Sequence, residues 1–372
     1  MRSTVKTIIS YLEELAPQSI ALPGDPIGLQ LGNPDAEVAK ILVALDPDRE
    51  AVEEAAFLGA EMLVTHHPLF YHQLSSINED SPAGALIAEA IRKRINIYSA
   101  HTNYDVAPGG VSYQLAKTLG LPAEKAEVLE VTGSEDLLKL VVFVPVGCEE
   151  QIRDALSAAG AGQIGNYSHC TFQVRGTGTF MPGEGTDPYI GTRGQLEKAD
   201  ELRLETILPV FRRGAVIEVL KRVHPYEEVA YDLYPLDLEG KKIGLGLVLE
   251  PEKPLSTQQL IQLCRNRLGA DNLRYWTAGK STFKRIALCG GSGGSIIKHA
   301  VRQKVDILIS GDFRYHDLKQ AEGLGLALID AGHDATEKPG LDYLRQYLER
   351  KLQADSFGTE VCLQTSEGAK WS

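Results

Sequence analysis

Leu63-Val64-Thr65-His66-His67-Pro68-Leu69-Phe70 is the stretch on which the fold turns. An apolar run climbs to two adjacent imidazoles, and a proline stops it. Successive residues of a strand face opposite sides, so both histidines serve one site only where the strand has ended. Pro68 favours that reading, because it pushes the preceding residue out of helix and removes a ladder donor. Neutral imidazole is the commonest protein ligand for zinc-like and iron-like ions. An adjacent pair also arises by chance among nine histidines, so this one needs support from elsewhere in the chain.

Upstream, Ile41–Leu45 reads as a buried strand, and Asp46-Pro47-Asp48 starts a helix with Asp46 at the N-cap and Pro47 in the first turn. Ala51–Leu58 has helical spacing and Glu61–Thr65 is the next strand. This βαβ unit delivers His66 and His67 to a strand's carboxyl end, where open α/β sheets place their sites. Before it lie an amphipathic helix (Ile8, Ile9, Leu12, Leu15) and the turn-rich Pro23–Gly28. After it come a helix over 83–93, the strand Ile95–Ser99, the segment Ala100-His101-Thr102-Asn103-Tyr104-Asp105, and a helix over 111–119.

The end of the chain repeats this order. Lys284–Leu288 is a strand, Gly290–Ser295 opens a helix, and Val305–Ile309 is a strand. Gly311-Asp312…His316 then takes the place of the histidine-pair loop. A helix over 317–322 and the strand Leu326–Ile329 lead to Gly332-His333-Asp334-Ala335-Thr336-Glu337. His101…Asp105 and His333…Glu337 are each a histidine with an acid four residues on, after equivalent strands; such self-similarity marks a duplicated unit. On a helix, His333 and Glu337 share one face and can bind one ion, or the carboxylate can bridge two. With His66, His67 and Asp105 they offer nitrogen and carboxylate donors suited to zinc, iron, manganese or cobalt rather than calcium or magnesium. Asp312 and His316 are placed to support the ligands. Gly290–Ser295 reads either as an anion cradle at a helix start or as a tight strand-to-helix turn.

Between the repeats, strand, helix, strand, strand, helix and strand follow from about residue 137 to 234, the split ferredoxin-like βαββαβ order. The expected architecture is therefore α/β: a duplicated metal-binding domain (1–127 and 242–372) split by an inserted domain (128–241). Within the insert, the glycine-rich Met181–Gly194 is a ligand-holding or mobile loop, and His224-Pro225-Tyr226-Glu227-Glu228 reads as a helix end and turn outside the metal site.

Composition narrows the classes. A net charge of −12 argues against a nucleic-acid partner. No window approaches the roughly 20 apolar residues of a membrane span, and Met1–Lys6 shows no secretion signal. The five cysteines are scattered and include no CxxC pair, which suits a reducing cytoplasm.

These motifs together resemble the NGG-interacting-factor-three-like family, whose members are often labelled type 2 homologues of GTP cyclohydrolase I. The resemblance runs nearly end to end. It is carried by Thr65-His66-His67-Pro68, by Ser99–Asp105, by Gly290-Gly291-Ser292-Gly293, by Ser310-Gly311-Asp312 and by Gly332–Glu337. The central segment is similar to the PII/CutA-like insertion of longer bacterial members. The resemblance implies a dinuclear centre of two divalent ions held by His66, His67, Asp105, His333 and Glu337, and a toroidal homohexamer around an internal cavity. It also implies hydrolytic opening of guanine's imidazole ring in GTP, with loss of formate and rearrangement to a dihydropterin triphosphate. His101 is then the candidate general acid/base or ligand-orienting residue. A non-catalytic metal-handling or regulatory protein, or a hydrolase of another small molecule, fits the same ligands. The ending Gln364–Trp371 lacks the Asn-Thr-rich close associated with the family.

Overall fold

The computed structural model describes residues 2–72 and 74–366. It divides into two compact units, one formed by 1–133 with 243–372 and the other by 134–242.

The first unit opens with α1 (Val5–Leu15), capped by the Thr4 hydroxyl, and β1 (Gly28–Leu31). Then β2 (Lys40–Ala44), α2 (Arg49–Leu58), β3 (Met62–Thr65), α3 (Pro82–Arg92) and β4 (Asn96–Ser99) alternate, before α4 (Thr102–Val106), α5 (Val111–Leu119) and β5 (Glu127–Ser134). β2, β3 and β4 are parallel neighbours, with β1 antiparallel on the far side of β4. Every residue of β3 is buried because the strand feeds two cores. Met62 and Val64 pack with α1, while Leu63 packs with the residues of α2 and α3. Burial on both faces explains the unbroken apolar run before His66.

One expectation changes here. The N-cap of α2 is Asp48, whose carboxylate accepts from the Ala51 N–H at 2.8 Å. Such a cap contributes about 1 kcal/mol. Pro47 precedes the cap rather than following it, and this leaves Asp46 free for another task.

The second unit contains β6 (Leu137–Pro145), α6 (Glu149–Ala158), β7 (Thr171–Phe180), β8 (Glu197–Pro209), α7 (Arg213–Val223) and β9 (Tyr231–Leu236). Its four strands run in the order β9-β6-β8-β7 with every neighbour antiparallel. Leu140, Val142, Leu204 and Leu208 pack with Ile152, Leu156, Val216 and Leu220 of the two helices.

The chain then returns to the first unit through β10 (Lys242–Leu249), α8 (Thr257–Leu268) and β11 (Arg274–Trp276). There follow β12 (Ile286–Ser292), α9 (Ile297–Arg302), β13 (Ile307–Gly311), α10 (Tyr315–Leu324), β14 (Ala327–Asp330), α11 (His333–Ala354) and β15 (Glu360–Leu363). β12, β13 and β14 are parallel, and β11 runs antiparallel beside β14 as β1 does beside β4. The order strand, helix, strand, helix, strand, helix thus recurs. β5 lies beside β10 in the second sheet, so the first unit extends past the boundary expected at 127/128. β15 joins the first sheet, parallel to β2.

The long helix α11 ties the two sheets together. Leu341, Leu344, Leu348 and Leu352 recur at helical spacing and enter the core built from α1, β2 and β3. Truncating fully buried Leu344 to alanine should cost roughly 2–5 kcal/mol. Among the described residues, no helix is long and apolar enough to cross a membrane.

Candidate metal centre

The carboxyl ends of β3 and β4, the start of α4 and the first turn of α11 meet at one place. β3 ends at Thr65, whose hydroxyl donates to the His67 carbonyl at 2.7 Å and turns the chain, so both following imidazoles stay on the same side of the site. His101 precedes α4, Asp105 lies within it, and His333 and Glu337 stand one turn apart on α11.

Glu337 is at the centre. Its Oε1 lies 3.5 Å from His66 Nε2 and 3.2 Å from His333 Nε2, and its Oε2 lies 3.2 Å from His67 Nε2. Asp105 Oδ1 is 3.5 Å from His66 Nε2, and the Nε2 atoms of His67 and His333 are 3.3 Å apart. Donor atoms of His67, His333 and Glu337 fall within 4.8 Å of one another, as do those of His66, Asp105 and Glu337, and those of His66, His67 and His101. The five expected ligands and His101 therefore converge.

What holds the rings is equally specific. His66 Nδ1 donates to the Ala100 carbonyl at 2.8 Å. His67 Nδ1 lies 2.7 Å from Asp46 Oδ1, His101 Nδ1 2.8 Å from Asp25 Oδ1, and His333 Nδ1 2.8 Å from Asp312 Oδ2. A hydrogen on each Nδ1 leaves the Nε2 lone pair pointing inward, the arrangement that metal-binding histidines adopt. Asp312 was visible as a supporting residue. Asp46, which the sequence places at a helix cap, and Asp25, within the turn-rich Pro23–Gly28, carry no such signal. His316, by contrast, is exposed and meets Tyr315 edge-on, so it takes no part in supporting the ligands. Asp312 has φ +53°, a left-handed conformation uncommon outside glycine that tends to collect at functional sites.

The glycine run has a different role from an anion cradle. β12 continues through it to Ser292, and the helix starts only at Ile297. The N–H groups of Gly290, Gly291 and Gly293 already donate to Ser112, Thr336 and Gly311. Gly291 has φ +66°, and a Cβ there would stand 2.3 Å from Glu337 Oε1. The run is the wall against which Glu337 rests.

Among the ligand atoms of the cluster, the buried His66 Nε2, Asp105 Oδ1 and Glu337 Oε2 have no hydrogen-bond partner. Buried acceptors so left are costly, and a cation is the partner that several converging lone pairs share. Protons otherwise fill that role. Burial lowers His67, but its bonds to Asp46 and Glu337 outweigh this and raise it to about 10. The bond to Glu337 lifts His333 to about 9. Burial also opposes charge on His66, yet Asp105 and Glu337 raise it. Burial pushes Asp105 up, whereas Glu337, despite its burial, is held well below the usual carboxylate range by His66 and by bonds from the surrounding imidazoles.

Fold and site together define an α/β protein in which two recurring halves bring a histidine–carboxylate cluster, able to hold metal, to one point. The chain belongs to the Duf34/NIF3 (NGG1p interacting factor 3) family, whose profile matches residues 3–368. It is 39% identical over 356 residues to a protein of Halalkalibacterium halodurans named GTP cyclohydrolase 1 type 2 homolog, covering 96% of this chain and 95% of that one. The Bacillus subtilis protein of the same name is 38% identical over 360 residues, covering 97% and 96%. The solved structure of a Bacillus cereus protein related to NIF3 matches 100% of this chain and 99% of its own, with a TM-score of 0.82 at 39% identity. The unusual ending recognised in the sequence lies, beyond residue 366, outside the described residues.

Proposed function

We propose that this chain is a dinuclear-metal hydrolase of a small heterocyclic substrate, with GTP the first candidate. The observation that carries the reading is Glu337, set between two groups of donors with each oxygen facing imidazole nitrogen. One divalent ion would be held by His66, Asp105 and Glu337, the other by His67, His333 and Glu337; zinc or iron suits this mixture of donors. Such a pair supplies an acidified water and stabilises developing negative charge on oxygen. The protein's own contribution is to hold the imidazoles by their Nδ1 atoms and to keep Glu337 ionised. His101, anchored by Asp25 and edge-on to His66 at 5.2 Å between centroids, is the group for proton transfer. GTP is favoured by the name the relatives carry.

Three further readings accompany this one. The βαββαβ order and the strand order of the second unit support a ferredoxin-like insertion. The resemblance carried by the sequence motifs implies a homohexamer, and the scattered free cysteines suit a cytoplasmic location. The deciding experiment combines elemental analysis with chromatography of GTP reactions, on wild type, His67→Ala and Glu337→Gln. Formate release by the metal-loaded wild type, lost in both variants, is expected. Stoichiometric metal with no substrate consumed would remove the hydrolase reading.

A further inference from the structure

The second unit contains a cleft of about 450 Å³ lined by Asp187, Pro188, Tyr189, Pro225, Tyr226 and Glu227. It lies wholly inside that unit, and its charged lining residues are both acids. The cleft accounts for two sequence features the metal centre leaves unexplained, the glycine-rich loop and His224–Glu228.

The histidine of that motif is a prop. His224 is buried, its Nδ1 accepts the Tyr226 N–H at 3.1 Å, and its Nε2 donates to the Phe143 carbonyl at 3.1 Å. Both nitrogens are used, which fixes a neutral ring, and burial lowers its affinity for a second proton. Glu227 accepts the Asp187 N–H at 3.0 Å and so fastens the glycine-rich loop to the motif. The loop then places Tyr189 against Tyr226, with centroids 6.1 Å apart and planes at 52°, while Phe180 meets the same tyrosine at 6.0 Å and 58°. Tyr226 donates its hydroxyl to Glu201 at 2.9 Å, and Glu201 is only 7% exposed. A hydroxyl bonded to a carboxylate keeps the ring neutral and enriches its face.

We propose that this cleft binds an organic ammonium ion, seated in the corner of Tyr189 and Tyr226, with Asp187 and Glu227 of the lining supplying the opposing charge and Glu201 adding to it from behind Tyr226. Aromatic faces attract alkylammonium through their quadrupole, and neighbouring carboxylates add to that attraction. Phosphorylated ligands are disfavoured by the same acids.

The test uses the full-length protein and two probes of equal shape, choline and its uncharged isostere 3,3-dimethyl-1-butanol, titrated by calorimetry and ligand-observed NMR. Choline should bind about tenfold more tightly than the isostere. Tyr189→Ala, at an exposed ring, and the isosteric Glu201→Gln should each weaken choline binding about tenfold or more, and Tyr189→Phe should leave it nearly unchanged. Circular dichroism confirms that the variants fold. The proposal is overturned if choline does not bind, if the isostere binds equally well, or if both folded variants retain full affinity.

Discussion

His67 Nδ1 and Asp46 Oδ1 lie 2.7 Å apart, joining the end of β3 to the loop after β2 across 21 positions of sequence. The carboxylate does two things at once. It fixes which nitrogen carries hydrogen, and it makes the other nitrogen a better donor. Asp46→Asn should therefore weaken metal binding about 10–100-fold. Because the Asp46 side chain is 51% exposed, the metal-free variant should melt close to wild type. Chelator-competition titration beside a melting curve separates the two effects; unchanged affinity would remove Asp46 from the centre.

That bond also marks where the sequence stops being readable. The histidine pair, Asp105, His333 and Glu337 were legible because strand ends and an i,i+4 spacing announce them, and Asp312 because it follows the repeat. Asp46 sits in Asp46-Pro47-Asp48, where either acid fits a helix cap and a first-turn proline favours the first. Only the packed chain shows that Asp48 caps the helix. Asp25 meets His101 across 76 positions, a pairing set by tertiary folding alone. The glycine run fits an anion cradle and a tight turn equally well in sequence, because local spacing does not reveal that Glu337 Oε1 lies 2.3 Å from where a Gly291 Cβ would be. The order of elements, by contrast, is readable inside each repeat and inside the insert, where strands buried on both faces and apolar residues at helical spacing leave strong periodic signals; β1, β5, β10, α8, β11 and β15, which edge or join the sheets, leave no such signal.

The cluster makes the stability of metal-free protein depend on pH in a defined direction. His67 and His333 rise from 6.5 to about 10 and about 9 on folding. A raised pKa means the folded state holds its proton more tightly. The stabilisation is therefore fully present below pH 6.5 and lost as pH climbs through 9 and 10. Glu337, lowered from 4.5, contributes above that pH and loses its contribution in acid. Thermal melts of chelated protein should therefore peak between pH 4.5 and 6.5 and decline through the alkaline range. A melting temperature rising steadily from pH 6.5 to 9 would contradict this. Metal loading should run the other way, improving with pH as the imidazoles deprotonate.

Two glycine substitutions should part company. Gly291→Ala puts a methyl group on Glu337 Oε1 at a backbone φ of +66°, so it should cost roughly 1–3 kcal/mol and impair metal binding together. Gly323→Ala, inside α10 with open space around the new Cβ, should be stabilising by roughly 0.5–1 kcal/mol and leave the metal untouched. Urea unfolding with metal titration checks both, and a well-tolerated alanine at 291 would show that the wall can yield.

The two acids of the site are kept in register by a bond behind it. Tyr104, fully buried, donates its hydroxyl to the Gly340 carbonyl at 2.8 Å. It neighbours Asp105 in α4, and Gly340 lies less than one turn beyond Glu337 in α11. The bond thus clamps together the two elements that carry the carboxylates. Tyr104→Phe keeps the ring and its packing and removes only this link, so it should destabilise the protein by roughly 1–2 kcal/mol. If the clamp acts as a positioning device, the variant should also bind metal more weakly than a control of equal destabilisation elsewhere. Ile152→Val in the core of the second unit supplies that control. Equal metal affinity in the two variants would reduce Tyr104 to a stabilising contact; a deficit in Tyr104→Phe alone would show that the spacing of Asp105 and Glu337 is set from behind the site.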